Sequence, residues 1–274
     1  MWTSLTQTFA VALLALPSVA AEPEVVSFES KDGLLITADL YKPHEARIDG
    51  KATPFIVLFH QAGWSRGEYR EIAPRLNELG FNCLAIDQRS GKEVNEVPNE
   101  TVARANTKGL PTSYVDAEQD LIAALEFAKK KYAKGKVVAW GSSYSSALVL
   151  RIAGENPELV DGVLAFAPGE YFQRSGKPAD WIQKSAEKIK CPVFITSAKK
   201  EEPSWKAIYD AIPGEKKAFF LPKTEGNHGS RALWEQFEDS KEYWRATETF
   251  LKAHCVPARP DPPAPKVPAD SDGS

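Results

Sequence analysis

The sequence is poor in the residues that hold metals and covalent bridges. Among 274 residues there are three cysteines, four histidines and one methionine. It contains no His-Glu-x-x-His run and no Cys-x-x-Cys pair, so the usual zinc chemistries lack their ligands. Neither Gly-rich phosphate motif is present, which argues against a nucleotide-binding enzyme. There is no long basic run, and the formal net charge is −3. That balance argues against nucleic acid or an anionic membrane surface as the main partner. An odd cysteine count also forbids complete internal pairing.

Charge is missing altogether from the first 21 residues. A short apolar core, Val11 to Leu16, is followed by Pro17 and by small residues at Ser18 and Ala20, or Val19 and Ala21. The stretch is too short for a comfortable membrane span, and its pattern fits a signal peptide over 1–21, although no Lys or Arg stands near the start. The mature chain is then expected to begin near Ala21 or Glu22, giving a periplasmic or secreted protein with no membrane span. The segment 256–274 is rich in Pro, Asp, Ala and Ser without a hydrophobic period, and reads as a disordered tail. Between them, residues 22–255 are long enough for one large domain, and 43% apolar residues allow a real core.

Within that domain, short apolar runs alternate with amphipathic stretches. Val25–Glu29 and Leu34–Tyr41 flank Lys31-Asp32-Gly33, a hairpin signal. Pro54–His60 is a continuous apolar run, as expected of a strand buried on both faces. Further strands are expected at 81–87, 136–141, 160–167, 192–197 and 217–221. Helices are expected at 70–79, 115–132, 144–155, 181–189, 205–211 and 231–254, and the polar stretch 88–113 is expected to be a loop. This alternation predicts an α/β protein with a mostly parallel sheet of about eight strands and helices on both faces. Ligands in such sheets bind at the carboxyl ends of the strands.

The strand at 136–141 runs into Gly141-Ser142-Ser143-Tyr144-Ser145 and then a helix. A nucleophile on so sharp a strand–turn–helix needs small residues two places before and after it. Around Ser143 these are Gly141 and Ser145. Ser142 is flanked by Trp140 and Tyr144, which are too large, and Ser145 falls inside the helix. The plainer alternative is a serine-rich helix start whose hydroxyls cap free amides.

A serine nucleophile needs a base, and four histidines leave few choices. His44 precedes the sheet core and His254 ends the last helix. His228 lies in Glu225-Gly226-Asn227-His228-Gly229-Ser230, just after the last strand, in the order nucleophile, acid, histidine. His60 ends an early strand and opens His60-Gln61-Ala62-Gly63-Trp64. It is read as structural, with the amides of Ala62 and Tyr144 as the oxyanion donors. Trp64 and Gln61 are expected to line the substrate pocket. The acid should follow the strand at 192–197, where the usual spacing lands on Lys200, which cannot orient an imidazolium. Glu201 is the choice, with Glu202 and Glu170 as alternatives. All three have the ordinary fate of a solvated surface glutamate as the competing reading.

Together the His60 turn, Asp87-Gln88-Arg89, the Gly141–Ser145 elbow and Asn227-His228-Gly229 resemble the α/β-hydrolase superfamily. They are nearest to dienelactone-hydrolase-like and peptidase S9-like exported hydrolases. Departures are Gln61 in the oxyanion turn, Ser145 in the elbow and Lys200 in the acid loop. The resemblance implies a serine hydrolase acting on a small-molecule ester or related acyl bond through an acyl-enzyme, with neither metal nor organic cofactor. A peptidase or amidase, or a catalytically weak or dead hydrolase used for binding, is the alternative it leaves open. In a sheet of this kind the strands carrying Cys83 and Cys191 sit several places apart, at about 4.8 Å per place, beyond disulfide reach. Cys255 follows the last helix and approaches the start of the Cys191 strand, so a Cys191–Cys255 bridge is expected.

Overall fold

The computed structural model describes residues 22–43 and 53–256. The expected leader at 1–21 and, beyond Val256, the expected tail at 256–274 lie outside the described residues.

The chain forms β1 (Glu24–Glu29), β2 (Leu35–Tyr41), β3 (Phe55–Phe59), α1 (Ile72–Glu78), β4 (Asn82–Ile86), β5 (Glu93–Val94), β6 (Val97–Pro98) and α2 (Glu100–Thr107). There follow α3 (Glu118–Lys131), β7 (Val137–Ser142), α4 (Tyr144–Glu155), β8 (Gly162–Phe166), α5 (Trp181–Ala186), β9 (Val193–Thr196), α6 (Glu202–Ala211), β10 (Lys217–Phe220) and α7 (Ser240–His254). Eight strands make one sheet in the order β1-β2-β4-β3-β7-β8-β9-β10. β2 is antiparallel to both its neighbours, and every other pair is parallel.

The unbroken apolar runs make sense in this sheet because the central strands face two cores. Along β3, Phe55, Val57 and Phe59 join the cluster under α3, α4, α5 and α6, while Ile56 and Leu58 join the cluster under α1 and α7. β7 divides in the same way, with Val137 and Ala139 on one side and Val138 and Trp140 on the other. Alternation along a strand sends successive side chains to opposite faces, so a strand covered on both must be apolar throughout.

Three expectations change. The stretch 88–113 is not a plain loop, for it contains the β5–β6 hairpin and helix α2, whose start Asn99 caps by accepting the Val102 amide at 2.9 Å. The expected helix at 231–254 is broken into a 3-10 turn, Ser230–Leu233, and α7. Trp234 between them is extended, because its indole is drawn inward to donate to the Glu68 carbonyl at 3.0 Å.

The third change is the Cys191–Cys255 bridge, which is not formed: all three cysteines are free thiols. The two are near enough to influence each other's ionisation, as the chain path requires. Burial pushes both thiols up to about 12. Among the described residues no helix is long and apolar enough to cross a membrane.

Candidate active site

The site lies at the carboxyl ends of β3, β7, β8 and β9. At the end of β7 the chain turns through Ser143, whose φ is 57° and ψ −122°. That is a conformation a residue with a Cβ adopts only under strain, of order 1–3 kcal/mol. The Ser143 amide donates to the Phe166 carbonyl of β8 at 2.7 Å, which anchors the turn. A Cβ on Gly141 would stand 2.5 Å from the backbone of Ser145 and Ser146, so only glycine fits there. Ser145, the small residue two places after Ser143, fits because its hydroxyl is used. It accepts the Ser142 amide at 2.9 Å and donates to the Phe59 carbonyl of β3 at 2.7 Å.

Ser143 Oγ is 2.8 Å from His228 Nε2, and His228 Nδ1 is 2.7 Å from Glu201 Oε1. These three residues are separated by up to 85 positions in the chain and meet in one continuous line. Glu201 reaches His228 because a 3-10 turn over Lys199–Glu201 follows β9 and swings its side chain back. Its second oxygen accepts the Ala198 amide at 3.1 Å. Lys200, where spacing alone had put the acid, is exposed. Of the alternatives, Glu170 is occupied elsewhere, accepting the Ile182 and Gln183 amides at the start of α5. Glu202 is the first residue of α6 and has no bond to His228. The acid and histidine loops are tied together by Tyr243 of α7, which donates to the Ser197 carbonyl at 2.9 Å and accepts the Asn227 amide at 3.4 Å.

Among the described residues, the amides of Ala62 and Tyr144 meet no protein acceptor. The Gln61 amide does: it donates to Glu68 Oε2 at 2.7 Å. The Gln61 side chain is also turned inward, 8% exposed, and stands behind the histidine loop. A Cβ on Gly229 would lie 2.8 Å from Gln61 Oε1 and 2.5 Å from Ser142 Oγ, and the φ of Gly229 is +73°. Gln61 is therefore a packing residue rather than part of an open pocket wall, because the close-fitting glycine loop covers it. Trp64 is half-buried and stacks on Trp234 with ring centroids 5.3 Å apart. His60 is fully buried, facing the Gln61 carbonyl through Nδ1 at 2.8 Å and the Asn99 amide group through Nε2 at 3.2 Å. Burial lowers it to about 4, so it stays neutral.

Sequence reasoning missed three residues near Ser143. Tyr171 donates to the Ala167 carbonyl at 2.6 Å and interacts with the Ser143 hydroxyl. Tyr114 packs its ring 4.5 Å from that of Tyr144. Glu68, in a 3-10 turn over Arg66–Tyr69, is fully buried behind the elbow, and its Oε1 accepts the Ser142 hydroxyl at 2.6 Å. Desolvation raises Glu68 to about 7. The sequence carried no signal for it, since a glutamate in the polar stretch Ser-Arg-Gly-Glu-Tyr reads as solvated until its buried partners are known.

Residues 50–179 match the family model of serine aminopeptidases, S33. That stretch holds the elbow but neither Glu201 nor His228. No curated protein sequence matches the chain. Among solved structures, an esterase from Pyrococcus furiosus superposes with a TM-score of 0.63 at 18% identity, covering 86% of this chain and 93% of that one. A dienelactone hydrolase from Anabaena variabilis gives 0.63 at 17%, covering 86% and 100%. An acetyl xylan esterase from Paenibacillus gives 0.64 at 18%, covering 88% and 87%. The strand order, the strained turn at Ser143 and these likenesses make the chain a protein of the α/β-hydrolase fold.

Proposed function

We propose that the protein is a serine hydrolase that cleaves carboxylic esters of small molecules through an acyl-enzyme. The observation that carries this reading is the unbroken line from Ser143 Oγ through His228 to Glu201, at 2.8 and 2.7 Å. Ser143 Oγ attacks the acyl carbon while His228 Nε2 takes its proton. Glu201 keeps the Nδ1 proton in place and stabilises the imidazolium that forms. The amides of Ala62 and Tyr144 hold the negative oxygen of the tetrahedral intermediate. His228 then protonates the departing alcohol, and water, deprotonated by His228, releases the acid and frees Ser143. Esterases and a dienelactone hydrolase among the structural neighbours favour an ester over other acyl bonds.

Short p-nitrophenyl esters should be turned over, and a fluorophosphonate should label Ser143. The Ser143→Ala variant should lose both. A folded wild-type protein that neither turns over esters nor takes the label rejects the proposal. The S33 match favours peptide-bond cleavage as the second reading, and faster turnover of aminoacyl p-nitroanilides than of esters would select it.

The uncharged leader at 1–21 supports export to the periplasm or beyond. Amino-terminal sequencing of the protein from its native host should start near Ala21 or Glu22, and a chain starting at Met1 would reject export by this route.

A further inference from the structure

Glu68 has no part in the proton transfers above, yet it sits where three segments of the site meet. Its Oε2 accepts the amide of Gln61, the residue before Ala62, at 2.7 Å. Its Oε1 accepts the hydroxyl of Ser142, the residue before Ser143, at 2.6 Å. That same Ser142 oxygen accepts the amide of Ser230, two residues after His228, at 2.8 Å. The Glu68 carbonyl is held in turn by the Trp234 indole at 3.0 Å. One fully buried carboxyl group thus joins the oxyanion loop, the elbow and the histidine loop.

The pattern of donors requires a particular charge state. A carboxylate can accept from both the Gln61 amide and the Ser142 hydroxyl. A carboxylic acid must place its one proton, and the Gln61 amide has no lone pair to receive it. Of its two partners only Ser142 Oγ can receive that proton, and Ser142 Oγ already accepts Ser230 and would have to turn its own hydrogen away from Glu68. Protonation therefore sets two donors against each other at the hinge of the site.

We propose that Glu68, as the buried carboxylate, is a positioning residue: it locks the Gln61–Ala62 peptide to Ser142 and the elbow, and its protonation loosens that lock and slows acyl transfer. The inference rests on the hydrolase reading and deepens it by naming a pH control on the same site. Burial raises the carboxyl to about 7. The ionisable groups facing it are few. Arg231, in the turn after His228, draws it downward. Tyr69, in its own turn, is held protonated by burial and donates to the Phe59 carbonyl at 2.7 Å. Gln61, Ser142, Ser230 and Trp234 carry no charge.

The test is the pH–rate profile with a short p-nitrophenyl ester, beside the rate of fluorophosphonate labelling, for wild type, Glu68→Gln and Ser142→Ala. In Glu68→Gln, kcat and labelling should both fall about ten- to hundredfold with KM within about twofold. Its acid limb should lose one ionisation, the logarithmic slope dropping from about two to about one. Ser142→Ala keeps the carboxyl but removes a donor that favours its anion, so the acid limb should move to higher pH. Wild-type kcat in Glu68→Gln, or an acid limb of unchanged slope, overturns the proposal. Should that variant fail to fold, an unmoved acid limb in Ser142→Ala does the same. A labelled wild type with indifferent variants defeats this inference alone, whereas an unlabelled, inactive wild type defeats the hydrolase reading and this inference with it.

Discussion

Glu201 divides its two oxygens between His228 Nδ1 at 2.7 Å and the Ala198 amide at 3.1 Å. The second bond aims the first, since it fixes the carboxylate plane on its own turn. Glu201→Gln keeps the size but offers an amide NH2 that competes for Nδ1 and favours the wrong imidazole tautomer. Its kcat should drop by about 10³- to 10⁴-fold with little change in KM. A loss under about tenfold would mean that the partner of Nδ1 is dispensable and that another group orients His228. The residue identities at this scale were partly legible. Neighbour size selected Ser143, and chain order selected His228. Glu201 was reached only by stepping past Lys200, because linear spacing cannot show a 3-10 turn. Glu68 was passed over because its partners, Gln61 and Ser142, are 7 and 74 residues away.

The elements were legible where local pattern and burial agree. β3, β7 and α4 fall within a residue or so of their expected limits, since a run such as Phe55–Phe59 has no alternative to a doubly covered strand. The segment after β4 was misread because its order comes from ion pairs, which leave no hydrophobic period. Arg89 is fully buried, with its guanidinium donating to Asp120 at 2.7 Å and to Asp32 at 2.6 Å. Arg66 meets Asp87 at 2.6 Å and Asp39 at 2.9 Å. These pairs staple the loop after β4 to β2, to α3 and to the turn that carries Glu68. Removing one partner of a buried pair strands the other charge. Asp120→Ala should therefore lower the unfolding free energy by about 3–5 kcal/mol in urea denaturation. A change below about 1 kcal/mol would mean that Asp32 and solvent compensate fully.

At the scale of the whole molecule, the site and its stability pull in opposite directions. Burial raises Glu68 to about 7, from the 4.5 of a solvated glutamate. Between those values the folded state holds a proton that the unfolded chain releases, so this group makes stability fall as pH rises through the window. The shift corresponds to roughly 3 kcal/mol. The anion proposed to align the Gln61–Ala62 turn is thus the less stable form of the fold. Glu68→Gln should be more stable than wild type above about pH 7, and its Tm should change less between about pH 5 and 8. Parallel Tm curves for the two proteins across that range would show that Glu68 does not titrate there.

By itself the sequence determined the fold class, the order of the strands along the chain, the turn that carries Ser143 and the loop that carries His228. Each of these depends on contacts within a few residues: alternation of apolar side chains, small neighbours at a sharp turn, glycines beside a histidine. The tertiary structure alone decided which carboxylate meets His228, where Glu68 lies, how the segment after β4 is held and that Cys191 and Cys255 remain thiols. Those depend on distances across the sheet, where a buried charge must find its partners wherever the packed elements bring them, and sequence separation carries no record of that.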